Sequence, residues 1–171
     1  MEKVKNIKKS GKKKFRFLVD FGTIAHYIVL SVIFSIVVYA VNNIVLMAID
    51  SSPTKQVGNG ILSLYEVHNT GAAFNLFAGQ TELIISASIL AIIVIALSVF
   101  LMSAKLNQTA VSAMSSLTAG IAMNLYDRIT YGYVIDYINC EFLKNFPVFN
   151  TADILIVVGA IGLIFSLIVK K

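Results

Sequence analysis

An all-α membrane protein of four transmembrane helices, with a small extracytoplasmic β-like platform, is the fold the sequence predicts. Two compositional facts and one pattern predict it. Of 171 residues 57% are apolar and only 13% are charged, and the mean hydropathy is +0.82. A soluble chain of 18.6 kDa needs far more polar surface than this. The pattern is four apolar runs of about 20 residues or more, the length that lipid as solvent demands.

Residues 1–20 form a basic cytoplasmic tail, with Lys3, Lys5, Lys8, Lys9, Lys12, Lys13, Lys14 and Arg16. So close to a membrane span, such a tail reads as a topogenic segment attracted to anionic membrane lipids, and no nucleic acid partner is expected. Residues 21–49 contain no Asp, Glu, Lys or Arg. This run is too long for the apolar core of a signal peptide and no small-residue cleavage site follows, so the first helix stays attached. Residues 83–104 and 106–126 are equally free of these charges, and residues 146–169 contain only Asp153. Each run spans roughly 30 Å as a helix at about 1.5 Å per residue.

Four spans bring both termini and the connection at Lys105 to one side. That side holds 11 of the 14 Lys and Arg, including Lys170 and Lys171, which makes it cytoplasmic by the positive-inside rule. Asp50, Glu66, Glu82, Asp127, Asp136, Glu141 and Asp153 fall to the other side. Residues 21–171 form a single domain, with extracytoplasmic loops at about 50–82 and 129–148.

The first of these loops is long for a connection, and loops of such length tend to carry function. It opens with turn chemistry in Ser51-Ser52-Pro53 and Gly58-Asn59-Gly60, continues through an extended stretch at 61–68, and turns again at Asn69-Thr70-Gly71. Apolar Ala72, Ala73, Phe74, Leu76 and Phe77 then suit an interfacial segment. The lone cysteine, Cys140, excludes an intrachain disulfide and a cysteine-based metal cluster. A nucleophilic thiol would need His68 from the other loop, a pairing that the sequence disfavours. There is no Gly-rich phosphate loop and no metal-ligand motif, so neither cofactor nor metal is expected.

What remains is a set of polar residues near the extracytoplasmic helix ends. Asn124, Asp127 and Arg128 share one broad helical face by their spacing, and Asn150 with Asp153 is an i, i+3 pair at the start of the fourth helix. Each has a bland reading. Asp127 and Arg128 suit an interfacial ion pair with a snorkelling arginine. Asn150 and Asp153 suit a helix cap. Asp136 suits a solvated loop, Asn69-Thr70-Gly71 a tight turn, and Tyr131, Tyr133 and Tyr137 an interfacial aromatic belt. Against these stands the cost of ionisable groups at a membrane boundary, which marks them as functional candidates.

Taken together, Asn69-Thr70-Gly71-Ala72-Ala73-Phe74, Asn124-Leu125-Tyr126-Asp127-Arg128, Val134-Ile135-Asp136-Tyr137 and Phe149-Asn150-Thr151-Ala152-Asp153 resemble, in order and spacing, the signature blocks of the lipoprotein signal peptidase (signal peptidase II) family. The resemblance covers residue 65 to the C-terminus. It implies a bacterial inner-membrane aspartyl endopeptidase that removes signal peptides from prolipoproteins, cutting before a diacylglyceryl-modified cysteine. It also implies that Asp136 and Asp153 are the catalytic dyad, with Asn69, Gly71, Asn124, Asp127, Arg128 and Asn150 shaping the site. The chemistry needs no metal. One of two neighbouring carboxyls keeps a proton while the other activates water.

The chain departs from the family pattern twice. Residues 37–48 lack the usual Asp and Lys of the first helix, where Asn42 and Asn43 are the only strongly polar candidates to replace them, and Met123 stands where the family usually has Gly. Two other readings remain open from the sequence: an inactive lipoprotein-binding relative, and a small four-helix transporter, which would tend to hold its charges nearer mid-membrane.

Overall fold

The computed structural model describes residues 19–50, 55–57, 59–72 and 76–169. Most of the basic tail, the Ser51-Ser52-Pro53 turn, Gly58, Ala73, Phe74, Lys170 and Lys171 lie outside the described residues. In chain order the elements are α1 (Phe21–Asp50), β1 (Lys55–Val57), β2 (Leu62–Asn69), α2 (Thr81–Met102), a 3-10 turn at Ser103–Lys105, α3 (Gln108–Tyr131), β3 (Val134–Cys140) and α4 (Thr151–Ile168).

Two boundaries differ from those the apolar runs suggest. α3 runs on to Tyr131 and stops at Gly132, whose positive φ of 84° lets its N–H return to the Arg128 carbonyl at 3.0 Å. Asp127 and Arg128 therefore belong to the helix itself. α4 begins only at Thr151, because Asn150 is extended and caps it, leaving the apolar residues 146–149 outside the helix.

Phe21–Ile49, Thr81–Lys105 and Thr151–Ile168 are long and apolar enough to cross a membrane. α3 is 24 residues long but is rich in Ser, Thr, Ala and Gly. Its position explains the composition. It packs against α1, α2 and α4, while Ile36, Val94 and Ile161 on those three helices are outward-facing and exposed. Apolar bulk is needed where a helix meets lipid; a central helix needs small residues that let its neighbours come close.

That approach is closest at the α3–α4 seam. A Cβ on Gly120 would sit 2.5 Å from the Ala152 carbonyl oxygen, and one on Gly159 would sit 2.8 Å from that of Ala113. Hydroxyls stitch the same bundle: Ser116 Oγ donates to the Leu155 carbonyl at 2.7 Å, and Tyr27 Oη lies 2.8 Å from Thr118 Oγ1. Met123 does not disturb the seam, because it packs with Val38 and Ala152 in the small core between α1, α3 and α4. Close approach is served by Gly120, one turn earlier.

The platform is a three-stranded antiparallel sheet in the order β1-β2-β3. The sequence points only to its middle strand, at residues 61–68. The third strand comes from the second connection, and residues 62–64 and 67–69 of β2 pair with it in two registers separated by a bulge. The sheet thereby spans both connections, and Phe149 continues it through an isolated bridge to Ile138 just before α4.

Candidate active site

The start of α4 fixes the first carboxylate. Asn150 Oδ1 accepts the Asp153 N–H at 3.0 Å and Asp153 Oδ2 accepts the Asn150 N–H at 3.1 Å, a reciprocal capping box. The capping role read from the sequence is thus real, and it does not exhaust the pair. Asp153 Oδ1 accepts from Asn124 Nδ2 on α3 at 2.8 Å, while the fully buried Asn150 uses its amide to reach further. Its Nδ2 donates to Asn124 Oδ1 and to Asp136 Oδ1, both at 3.0 Å, with the Ile135 carbonyl a longer third acceptor at 3.4 Å. Two amide hydrogens serve the two short bonds, so the buried group is satisfied.

Asp136 is not solvated in a loop. It lies inside β3 and is only 2% exposed. Asn69, opposite Val134 on β2, donates from Nδ2 to Asp136 Oδ2 at 2.9 Å, so each carboxyl oxygen has an amide donor. Burial is the main reason that the Asp136 pKa rises from its ordinary value to about 7. The Asp153 charge pushes the same way, and the amides of Asn69 and Asn150 and the Arg128 charge oppose it. Near neutral pH this carboxyl holds a proton for a substantial part of the time.

Arg128 and Asp127 do not form the interfacial ion pair suggested by their adjacency; each turns to other partners. Arg128 is buried and does not snorkel. Its Nη2 donates to the Gly71 carbonyl at 2.7 Å and its Nη1 to the Asn124 carbonyl at 3.3 Å. Gly71 in turn donates its N–H to Asn69 Oδ1 at 2.9 Å, so the Asn69-Thr70-Gly71 turn is both a turn and a support for Asp136. Asp127 departs from the shared face expected of it. Consecutive helical residues diverge by about 100°, and Asp127 lines a small crevice with Asn42, Tyr126 and Tyr131 on another flank of α3. There its Oδ2 accepts the Ile135 N–H at 3.3 Å and steadies β3 from behind.

Asn69, Asn124, Arg128, Asp136 and Asp153 line a groove of about 370 Å³. The rest of the groove is mainly apolar, with Ile84 from α2, Ile121 from α3, Ile156 and Val157 from α4, and Phe146 and Phe149 from the segment before α4. Cys140 is remote from His68. Cys140 pairs with Leu62 on β2, and the six residue steps from Leu62 to His68 amount to about 20 Å of strand.

Tyr137 corrects the aromatic-belt reading. It is 1% exposed and makes three polar contacts, to Asn42 and to both the side chain and backbone of Thr151. Of the two asparagines on α1, Asn42 reaches the site, whereas Asn43 donates to the Tyr39 carbonyl of its own helix. The signal for Tyr137 and Thr151 was adjacency, since each directly follows a candidate site residue.

Residues 28–169 match the family model described as Signal peptidase (SPase) II. The chain belongs to the signal peptidase II family. It is 39% identical to the lipoprotein signal peptidase of Dehalococcoides mccartyi over 117 residues, covering 66% of this chain and 71% of that one. It is 34% identical to that of Lactococcus lactis, covering 75% and 84%, and 30% identical to that of Lactiplantibacillus plantarum, covering 83% and 93%. Two solved bacterial membrane enzymes superpose with TM-scores of 0.74 and 0.73 at 27% and 26% identity. They cover 85% and 91% of this chain and 88% and 99% of their own. As a signal peptidase II, the protein is an aspartic endopeptidase of the bacterial inner membrane that removes signal peptides from prolipoproteins.

Proposed function

We propose that Asp136 and Asp153 are the catalytic dyad of this peptidase, and that the substrate is cut directly before a diacylglyceryl-modified cysteine. The observation that carries the reading is the bridge between the two carboxyls. Asn150 bonds Asp136 through its side chain and Asp153 through its backbone, so two acids from different elements that line the groove share one buried support.

In this reading protonated Asp136 donates to the scissile carbonyl oxygen while Asp153 takes a proton from the attacking water, whose oxygen bonds to the carbonyl carbon. The tetrahedral diol then collapses. The C–N bond breaks, the departing amine receives the proton held by Asp153, and the diol hydroxyl returns a proton to Asp136. Arg128 and Asn124 support the dyad and Asn69 orients Asp136. Asp127 acts at one remove through β3. The apolar groove suits a signal sequence and acyl chains. By the cation distribution both termini are cytoplasmic and the dyad faces the extracytoplasmic side. Residues 21–171 act as a single domain.

The test incubates purified protein with a diacylglyceryl-modified prolipoprotein. A cut directly before the modified cysteine is expected, with Asp136→Asn and Asp153→Asn each losing at least ~100-fold in rate while remaining folded. Turnover like the parent's in either variant assigns catalysis elsewhere. Substrate binding without any cut by the parent makes the protein an inactive lipoprotein-binding relative.

A further inference from the structure

The two dyad carboxyls sit on separate elements, and the residue following Asp136 contacts the residue following Asn150. Tyr137 Oη donates to Asn42 Oδ1 at 2.6 Å. A phenol has one hydrogen, so its 2.5 Å contact with Thr151 Oγ1 must be donated by the threonine, and the Thr151 N–H is a second donor to the same oxygen at 3.3 Å. One donated and two accepted bonds saturate the buried hydroxyl. Burial also raises the Tyr137 pKa above its ordinary value, which keeps the phenol a neutral donor.

We propose that Tyr137 is a positioning residue for the dyad, a phenolic pin that fixes β3 against the first turn of α4, with Asn42 of α1 as its anchor and Thr151 as its second clasp. This rests on the assignment of Asp136 and Asp153 as catalytic. Backbone bonds from the N–H groups of Tyr137 and Ile138 to the Phe149 carbonyl tie β3 to the segment before α4, and Asn150 joins the two carboxyls. The pin adds a side-chain joint to the first turn of α4 itself, one residue beyond each carboxyl's support, where backbone pairing does not reach. Misplacement of reacting groups by about 1 Å costs on the order of 100-fold in rate, so loss of the pin is felt in turnover. Substrate affinity is spared, because Asn42, Tyr137 and Thr151 are not among the residues that line the groove. Asn42 thereby gives α1 a part in the site through a neutral amide, in the helix where related enzymes usually carry an acid.

Steady-state cleavage of the modified prolipoprotein by the full-length enzyme tests this. Tyr137→Phe keeps the buried ring and is expected to lower kcat at least 10-fold with KM within 2-fold of the parent. Asn42→Ala is expected to do the same. Asn42→Asp, which retains an acceptor, recovers most of the loss, and Asn43→Ala changes nothing. Combining Tyr137→Phe with Asn42→Ala should cost little more than either alone, because both remove one connection. Parental kcat in Tyr137→Phe, or full additivity in the double variant, overturns the inference. If Tyr137→Phe fails to fold, Asn42→Ala and Thr151→Val carry the same test, and parental kcat in both overturns it. Loss of activity in Asp136→Asn and Asp153→Asn beside parental kcat in Tyr137→Phe rejects the pin alone; activity in either Asp variant rejects the dyad beneath it.

Discussion

Asp136 shows what one side chain in an unusual environment does to the whole protein. Its carboxyl holds its proton to about pH 7 in the folded enzyme, whereas in an unfolded chain it releases it near pH 4. Between those values the unfolded state binds fewer protons, so this residue's contribution to stability falls as pH rises from about 4 to 7 and stays low above. Asp136→Asn removes that titration. Thermal unfolding in detergent at pH 5 and pH 8 should show the parent losing several degrees more than the variant between the two, with the variant the more stable at pH 8. Identical pH dependence in both proteins would mean that the buried carboxyl does not hold its proton. The sequence could present Asp136 only as an acid in a connection. Its burial depends on Asn69, 67 positions away, and on Asn150, which no local pattern reveals.

The elements were legible in proportion to how much lipid they face. α1, α2 and α4 announce themselves as long apolar runs because lipid-exposed helices must be apolar. α3 was visible by its freedom from charge over 106–126, but its end was not, since Asp127 and Arg128 interrupt the apolar run while the helix continues. β3 was the hardest to read. A half-buried strand shows alternation only when its inward positions are apolar, and here Val134 and Asp136 both point inward. A buried acid breaks the pattern at that position. The α3–α4 seam makes a prediction of its own scale. Gly120→Ala would drive a methyl into the Ala152 carbonyl and the Ile156 side chain, both within 2.7 Å, so the helices must part. A loss of about 2 kcal/mol or more is expected, together with lower activity, because Ala152 directly precedes Asp153. Gly162→Ala meets a single methyl at 3.2 Å and should cost clearly less. Denaturation of both variants, with the prolipoprotein assay alongside, makes the comparison; equal stability of the two would show that the seam can yield.

At the scale of the whole molecule, 11 of 14 cations segregate with the termini and the α2–α3 connection in a four-span chain. Reporter fusions at Lys171 and cysteine labelling near the N-terminus should therefore both read cytoplasmic, and an outside reading at either end would overturn the orientation. The groove has a further consequence through its walls. α2 and α4 both pack on α3 and hardly touch each other, so the groove is a slot with α3 as its floor. A slot between two membrane helices admits a substrate sideways. A prolipoprotein anchored in the bilayer by its signal sequence then never has to pass through water to be cut. Encounter is a search in two dimensions, and the quantity that governs it is the number of substrate molecules per unit area of membrane. Diluting substrate with inert lipid or detergent, at constant bulk concentration of both partners, spreads the same molecules over more surface and slows this enzyme, as it would not slow a peptidase fed from solution.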